Sequence, residues 1–149
     1  MVGPDEDAPA VVLTTHDGLS IDVGSPGQRL VLFFFDEIAG ARGSGLAGDF
    51  SDQLYEFRQL GVQLVGVSVD APAATASFAA AYDLGFPLVS DPERRVCLAF
   101  GVVGTKRGRP RPSTFIIDTT GVVRRVFGEI PPYGHAQDVL VEARRLWGA

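Results

Sequence analysis

The chain has 149 residues, 46% of them hydrophobic and 21% charged, which suits one domain with one buried core and no need of staples or metals. A formal net charge of −5 argues against a general nucleic-acid surface, and two histidines with one cysteine leave no set for a zinc centre or an internal disulfide. No apolar run reaches transmembrane length, and the lone Cys97 fits a reducing cytoplasm, so no metal, cofactor, nucleic acid or membrane partner is expected.

Residues 1–8 carry Asp5, Glu6 and Asp7 without the basic and apolar regions of a signal peptide, and are expected to be a flexible leader before a single domain over 9–149. Val11 to Thr14 and Leu19 to Val23 flank His16-Asp17-Gly18 and predict a β-hairpin, because Asp-Gly supplies the positive φ of a tight turn. Ser25-Pro26-Gly27 breaks the chain, and Leu30 to Phe35 is apolar without alternation, as in a central strand covered on both faces. A Gly-rich bend follows, and Phe50, Leu54, Phe57 and Leu60 mark one side of a helix ending at Gly61, with Ser44 a candidate N-cap and Asp49 and Asp52 near its start. Val62 to Val69 is a second buried strand, Ala73 to Tyr82 a helix, and Phe86 to Val89 a short strand. Ser90-Asp91-Pro92-Glu93 opens a helix through Phe100, and a loop from Gly101 to Pro110 contributes to the basic cluster Lys106, Arg107, Arg109 and Arg111. Ser113 to Ile117 and Val122 to Phe127 predict a second hairpin through Asp118-Thr119-Thr120-Gly121, and Gly134 to Trp147 a closing helix.

This order is that of an α/β thioredoxin-like sandwich, a central mixed sheet flanked by helices with an N-terminal β-hairpin. Local sequence narrows it. Leu30-Val31-Leu32-Phe33-Phe34-Phe35, the run Leu60 to Asp70, Phe86-Pro87-Leu88-Val89-Ser90-Asp91-Pro92, Ala99-Phe100-Gly101-Val102, Thr114-Phe115-Ile116-Ile117-Asp118 and Gly134-His135-Ala136 together resemble the peroxiredoxin superfamily. The resemblance is strongest to its bacterioferritin-comigratory and alkyl-hydroperoxide-reductase-like members, and it implies the peroxiredoxin-type fold.

In that family the segment after the Phe-rich strand carries Pro-x-x-x-Thr-x-x-Cys at a helix start, where the helix N-terminus and an arginine stabilise a reactive thiolate. Counted from Phe33-Phe34-Phe35, this chain has Asp36, Gly40 and Gly43 at those three positions, and Gly48 where some relatives have a second cysteine. The family's arginine before the Thr-Phe-Ile-Ile-Asp strand is replaced by Pro112, with Arg111 beside it. Pro112-Ser113-Thr114 also resembles the cis-proline segment of thioredoxin-like reductases, which would need a Cys-x-x-Cys pair that is missing here.

The residues left around this position define the candidate site. Asp36 and Glu37, at the C-terminal end of the strand where open α/β sheets bind ligands, are candidate acid or base groups, and Ser44 is a third catalytic candidate. Arg42, Gly43, Gly45, Arg111 and Pro112 are candidates for holding a carbonyl or carboxylate. The plainer reading makes the acids solvated, His135 a capping or packing residue, and Cys97 a small buried hydrophobe. Three functions compete: a cysteine-less homologue recruited to non-redox acid/base chemistry on a small molecule, for example as a biosynthetic tailoring enzyme; a pseudoenzyme serving as a binding or scaffold module; and residual peroxide reduction through Cys97. A homodimer and a small-molecule ligand in the former peroxide pocket complete the expectations that the resemblance carries.

Overall fold

The computed structural model describes residues 1–36, 41–105, 107–131 and 133–148, with the side chains of residues 41–43 outside that description. Strands β1 (Val12–Thr14) and β2 (Ser20–Asp22) pair antiparallel, with Leu13 opposite Ile21 and both turned into the core. They form the expected hairpin, and Gly18 in its turn has φ +89°. Strand β3 (Arg29–Phe34) is followed by α1 (Ala41–Asp52) and α2 (Leu54–Gln59), then β4 (Val62–Ser68), α3 (Pro72–Ala81) and β5 (Leu88–Ser90). Helix α4 (Arg95–Phe100), the hairpin β6 (Ser113–Ile117) and β7 (Val123–Phe127), and α5 (His135–Trp147) complete the chain.

The five-stranded sheet has the order β5-β4-β3-β6-β7, parallel from β5 to β3 and antiparallel from β3 to β7. Successive side chains of a strand point to opposite faces. Val31, Phe33 and Phe35 therefore enter one core with Phe50 and Phe57 of the first two helices and Val139 and Leu140 of α5. Leu30, Leu32 and Phe34 enter a second core with the hairpin residues Leu13 and Ile21 and with Val96, Cys97 and Phe100 of α4. This two-sided burial explains the unbroken apolar run.

Phe33 stacks on Phe50 with ring centroids 4.2 Å apart and meets Phe86 edge-on at 5.6 Å. Gly66 on the neighbouring strand leaves room for that ring. A Cβ there would stand 2.9 Å from Phe33 Cε2 and 2.8 Å from Leu88 Cδ2.

Two expectations change. The segment read as a Gly-rich bend is largely helical, so Ser44 is the fourth residue of α1 rather than its N-cap, and Asp49 and Asp52 lie at its C-terminal end. Glycine lowers helix propensity by about 1 kcal/mol per residue relative to alanine, and burial of Leu46, Ala47 and Phe50 against the sheet outweighs that bias. At the N-terminus, residues expected as a leader lie along the core: Val2 N–H donates to Phe100 O, Asp5 N–H to Val123 O and Ala8 N–H to Gly121 O, while Glu6 O accepts from Val123 N–H. Asp5, Glu6 and Asp7 are exposed and Ala8 is buried.

Candidate functional site

The C-terminal end of β3 positions the site. Phe35 N–H donates to Val67 O at 3.1 Å, which carries the strand's pairing one residue beyond Phe34 and delivers Asp36 to the rim. Phe34 is paired with Ser113, so Pro112, the residue before Ser113, lies beside the same strand end. Helix α1 starts five residues after Asp36, and Gly43 stands third in it. The backbone N–H groups of a first helical turn point outward at the positive end of the helix dipole, the setting in which a thiolate would be stabilised. Gly43 puts no thiol there.

Asp36 Oδ2 lies 3.4 Å from Arg109 Nη1, with the two side chains 30% and 78% exposed. Arg109 therefore reaches the strand end from the basic loop, a contact that the sequence candidates Arg42 and Arg111 did not include. Arg111 is exposed, its N–H donates to Val102 O at 2.8 Å and its carbonyl accepts from Ser113 Oγ at 2.8 Å. The loop before β6 is irregular, and it brings the Arg109 guanidinium rather than that of Arg111 to Asp36. The Arg111–Pro112 bond is trans. Ser44 is half-buried and Gly45 exposed, with open space around a Cβ at Gly45. Glu37 and Gly40 lie outside the described residues, as do the side chains of Arg42 and Gly43.

Beneath this rim is a polar pair that spacing did not reveal. Thr114 Oγ1 and His135 Nε2 are 2.7 Å apart, both residues are essentially inaccessible, and the imidazole meets Phe50 and Phe127 edge-on at 5.8 and 5.4 Å. His135 Nδ1 has no hydrogen-bond partner among the described residues. Burial lowers the histidine's pKa, opposed by the charges of Asp49 and Asp138. The packing role read for His135 is the one it has, and its Thr114 partner was readable only once β6 and α5 were brought together.

Cys97 is fully buried in α4. Asp91, itself 4% exposed, accepts the backbone N–H groups of Val96 at 3.1 Å and Cys97 at 2.8 Å through its two carboxylate oxygens. Burial pushes the thiol far up, the hydrogen bond and charge of Asp91 add to that, and Arg94 opposes it. A nucleophilic cysteine needs its thiolate, which this setting disfavours. Among the described residues no three His, Cys, Asp or Glu side chains converge on a metal-binding geometry, and no helix is long and apolar enough to cross a membrane.

The sandwich, the strand-end rim and the helix that starts beside it define a thioredoxin-like protein of the peroxiredoxin class. The chain belongs to the AhpC/TSA family, which it matches over residues 4–126. It is 32% identical over 139 residues to a putative peroxiredoxin of Mycobacterium tuberculosis, covering 89% of this chain and 88% of that protein. Peroxiredoxin Bcp of Escherichia coli K12 is 31% identical over 141 residues, at 89% and 90% coverage. Among solved structures, peroxidoxin BcpB of Mycobacterium tuberculosis superposes with a TM-score of 0.88 at 26% identity, covering 98% of this chain and 99% of that one. The bacterioferritin comigratory protein of Xanthomonas campestris, studied for alkyl peroxide reduction, gives 0.86 at 26% identity, covering 97% and 99%.

Proposed function

We propose that this peroxiredoxin-like protein acts without a thiol, binding a small carbonyl- or carboxylate-bearing molecule at the end of β3 and carrying out non-redox acid/base chemistry on it. The observation that carries the proposal is the Asp36–Arg109 pair, which sets a carboxylate and a guanidinium at the rim where the family's reaction would place its sulfur. An arginine at that point orients a carboxylate and brings positive charge to the rim, and the first turn of α1 adds positive potential beside it. Asp36 is then the acid or base, with Glu37 and Ser44 beside it in sequence, and Arg42, Gly43, Gly45, Arg111 and Pro112 forming the surround. Such a role suits a tailoring step in biosynthesis, performed by a cytoplasmic homodimer.

The same pair also favours a second reading. Asp36 and Arg109 satisfy one another without a ligand, as in a binding or scaffold module whose chemistry has been lost. Titration of the 15N-labelled chain with acetate and pyruvate separates the two. The enzyme reading expects saturable shifts at Asp36, Ser44 and Pro112-flanking amides that weaken in Asp36→Asn and Arg109→Gln. Shifts absent from this rim in the wild type would overturn it in favour of the module.

A further inference from the structure

A second concavity lies at the opposite ends of the strands from Asp36. A groove of about 430 Å³ runs across the N-terminal ends of β3, β4 and β5, between the tip of the β1–β2 hairpin and α2. That volume falls in the range of small-molecule sites, about 300–1,000 Å³.

Specific bonds hold its walls. His16 N–H donates to Leu88 O at 2.8 Å and His16 Nδ1 accepts Leu88 N–H at 3.0 Å, which locks the hairpin tip and its Asp17 onto β5. Arg58 Nη2 donates to Gly85 O at 2.8 Å, tying α2 to the chain before β5. Gly85 permits the close approach of α2, since a Cβ there would stand 2.6 Å from Leu54 Cδ2. Leu54 and Leu19 also line the groove, and Leu54 is half-buried and Leu19 exposed, so the lining includes apolar surface.

The informative groups are Gln28 and Gln63. Their side-chain amides are bonded to each other, Gln28 Nε2 donating to Gln63 Oε1. Each amide has one carbonyl acceptor and one NH2 donor group, and the mutual bond engages one of each. Gln28 Oε1 and the Gln63 NH2 group remain as an acceptor and a donor on one lined wall. Turning both amides over leaves the same complement.

We propose that this groove binds a small planar heterocycle that presents an N–H beside a C=O on one edge, as uracil-type lactams do. The Gln28–Gln63 pair reads that edge, Leu54 and Leu19 supply apolar surface, and the exposed Arg58 suits an anionic substituent on the ring. An analogue without the N–H forfeits the hydrogen bond to the amide pair, a loss of about 0.5–1.5 kcal/mol per bond at such an exposed pair.

Uracil and 1,3-dimethyluracil, which has no N–H, are the probes for titration of the 15N-labelled full chain. Uracil is expected to shift the side-chain amides of Gln28 and Gln63 and the backbone amide of Gly85 saturably, with 1,3-dimethyluracil binding up to about tenfold more weakly. Gln63→Leu, which removes the donor, is expected to abolish the discrimination, and Gln28→Ala, at an exposed position outside any strand, gives the same readout should Gln63→Leu fail to fold. Equal response to both compounds, no saturable shift with uracil, or discrimination that survives in the folded variant would overturn the proposal.

Discussion

Asp49 Oδ2 accepts the backbone N–H of Ala136 at 2.9 Å, so a carboxylate near the end of α1 caps the start of α5. The N-cap residue of α5 is Gly134, which has no side chain to offer, and Asp49 supplies the missing acceptor from another element. An acid does stabilise a helix's positive end here, but the helix is not the acid's own.

Asp49→Ala should therefore destabilise the fold by about 1 kcal/mol, the usual loss for a removed N-terminal cap, and lower Tm by about 2–4 °C. Asp49→Asn keeps an acceptor and should lose less. Thermal unfolding of the two variants checks both the direction and the order.

The glycines of the chain should divide by their surroundings. Gly45 and Gly48 sit inside α1 with open space where a Cβ would go, so alanine at either should stabilise by about 0.5–1 kcal/mol. Gly66→Ala should destabilise by about 1–3 kcal/mol, because its methyl group meets Phe33 and Leu88 inside packed core. Chemical denaturation midpoints with unchanged slopes are the readout.

Stability should fall in mild acid through His135. Its folded pKa lies below the ordinary 6.5, chiefly from burial, while the unfolded chain titrates normally. Between the lowered value and 6.5 the unfolded state binds a proton that the folded state does not, so stability is full above 6.5 and drops as pH falls through that window. His135→Gln should flatten this part of the curve of stability against pH.

Cys97 should resist thiol reagents in the native state and react only through opening of the α4 region. Labelling by an aromatic disulfide reagent should accelerate steeply with denaturant. Fast labelling in buffer would contradict the buried, protonated thiol.

Most of the fold was legible because the strands announce themselves. The unbroken run Leu30 to Phe35 read as a strand covered on both faces, and the Asp-Gly turn at 17–18 marked the hairpin. The start of α1 was not legible, since Gly43, Gly45 and Gly48 read locally as a bend and only packing of Leu46, Ala47 and Phe50 makes a helix of them. At the strand end, sequence pointed to Asp36 with Arg42 and Arg111 as candidates, and the contact between Asp36 and Arg109 was not legible, because side-chain direction in an irregular loop has no sequence period to reveal it. The Thr114–His135 pair joins residues 21 positions apart on different elements, a relationship that local pattern does not encode.

A function that needs no thiol is checked most directly by consumption of hydrogen peroxide with dithiothreitol as reductant, by the wild type and Cys97→Ser. Neither is expected to consume peroxide above the rate of reductant alone. Turnover by the wild type that disappears in a folded Cys97→Ser protein would contradict a thiol-free function.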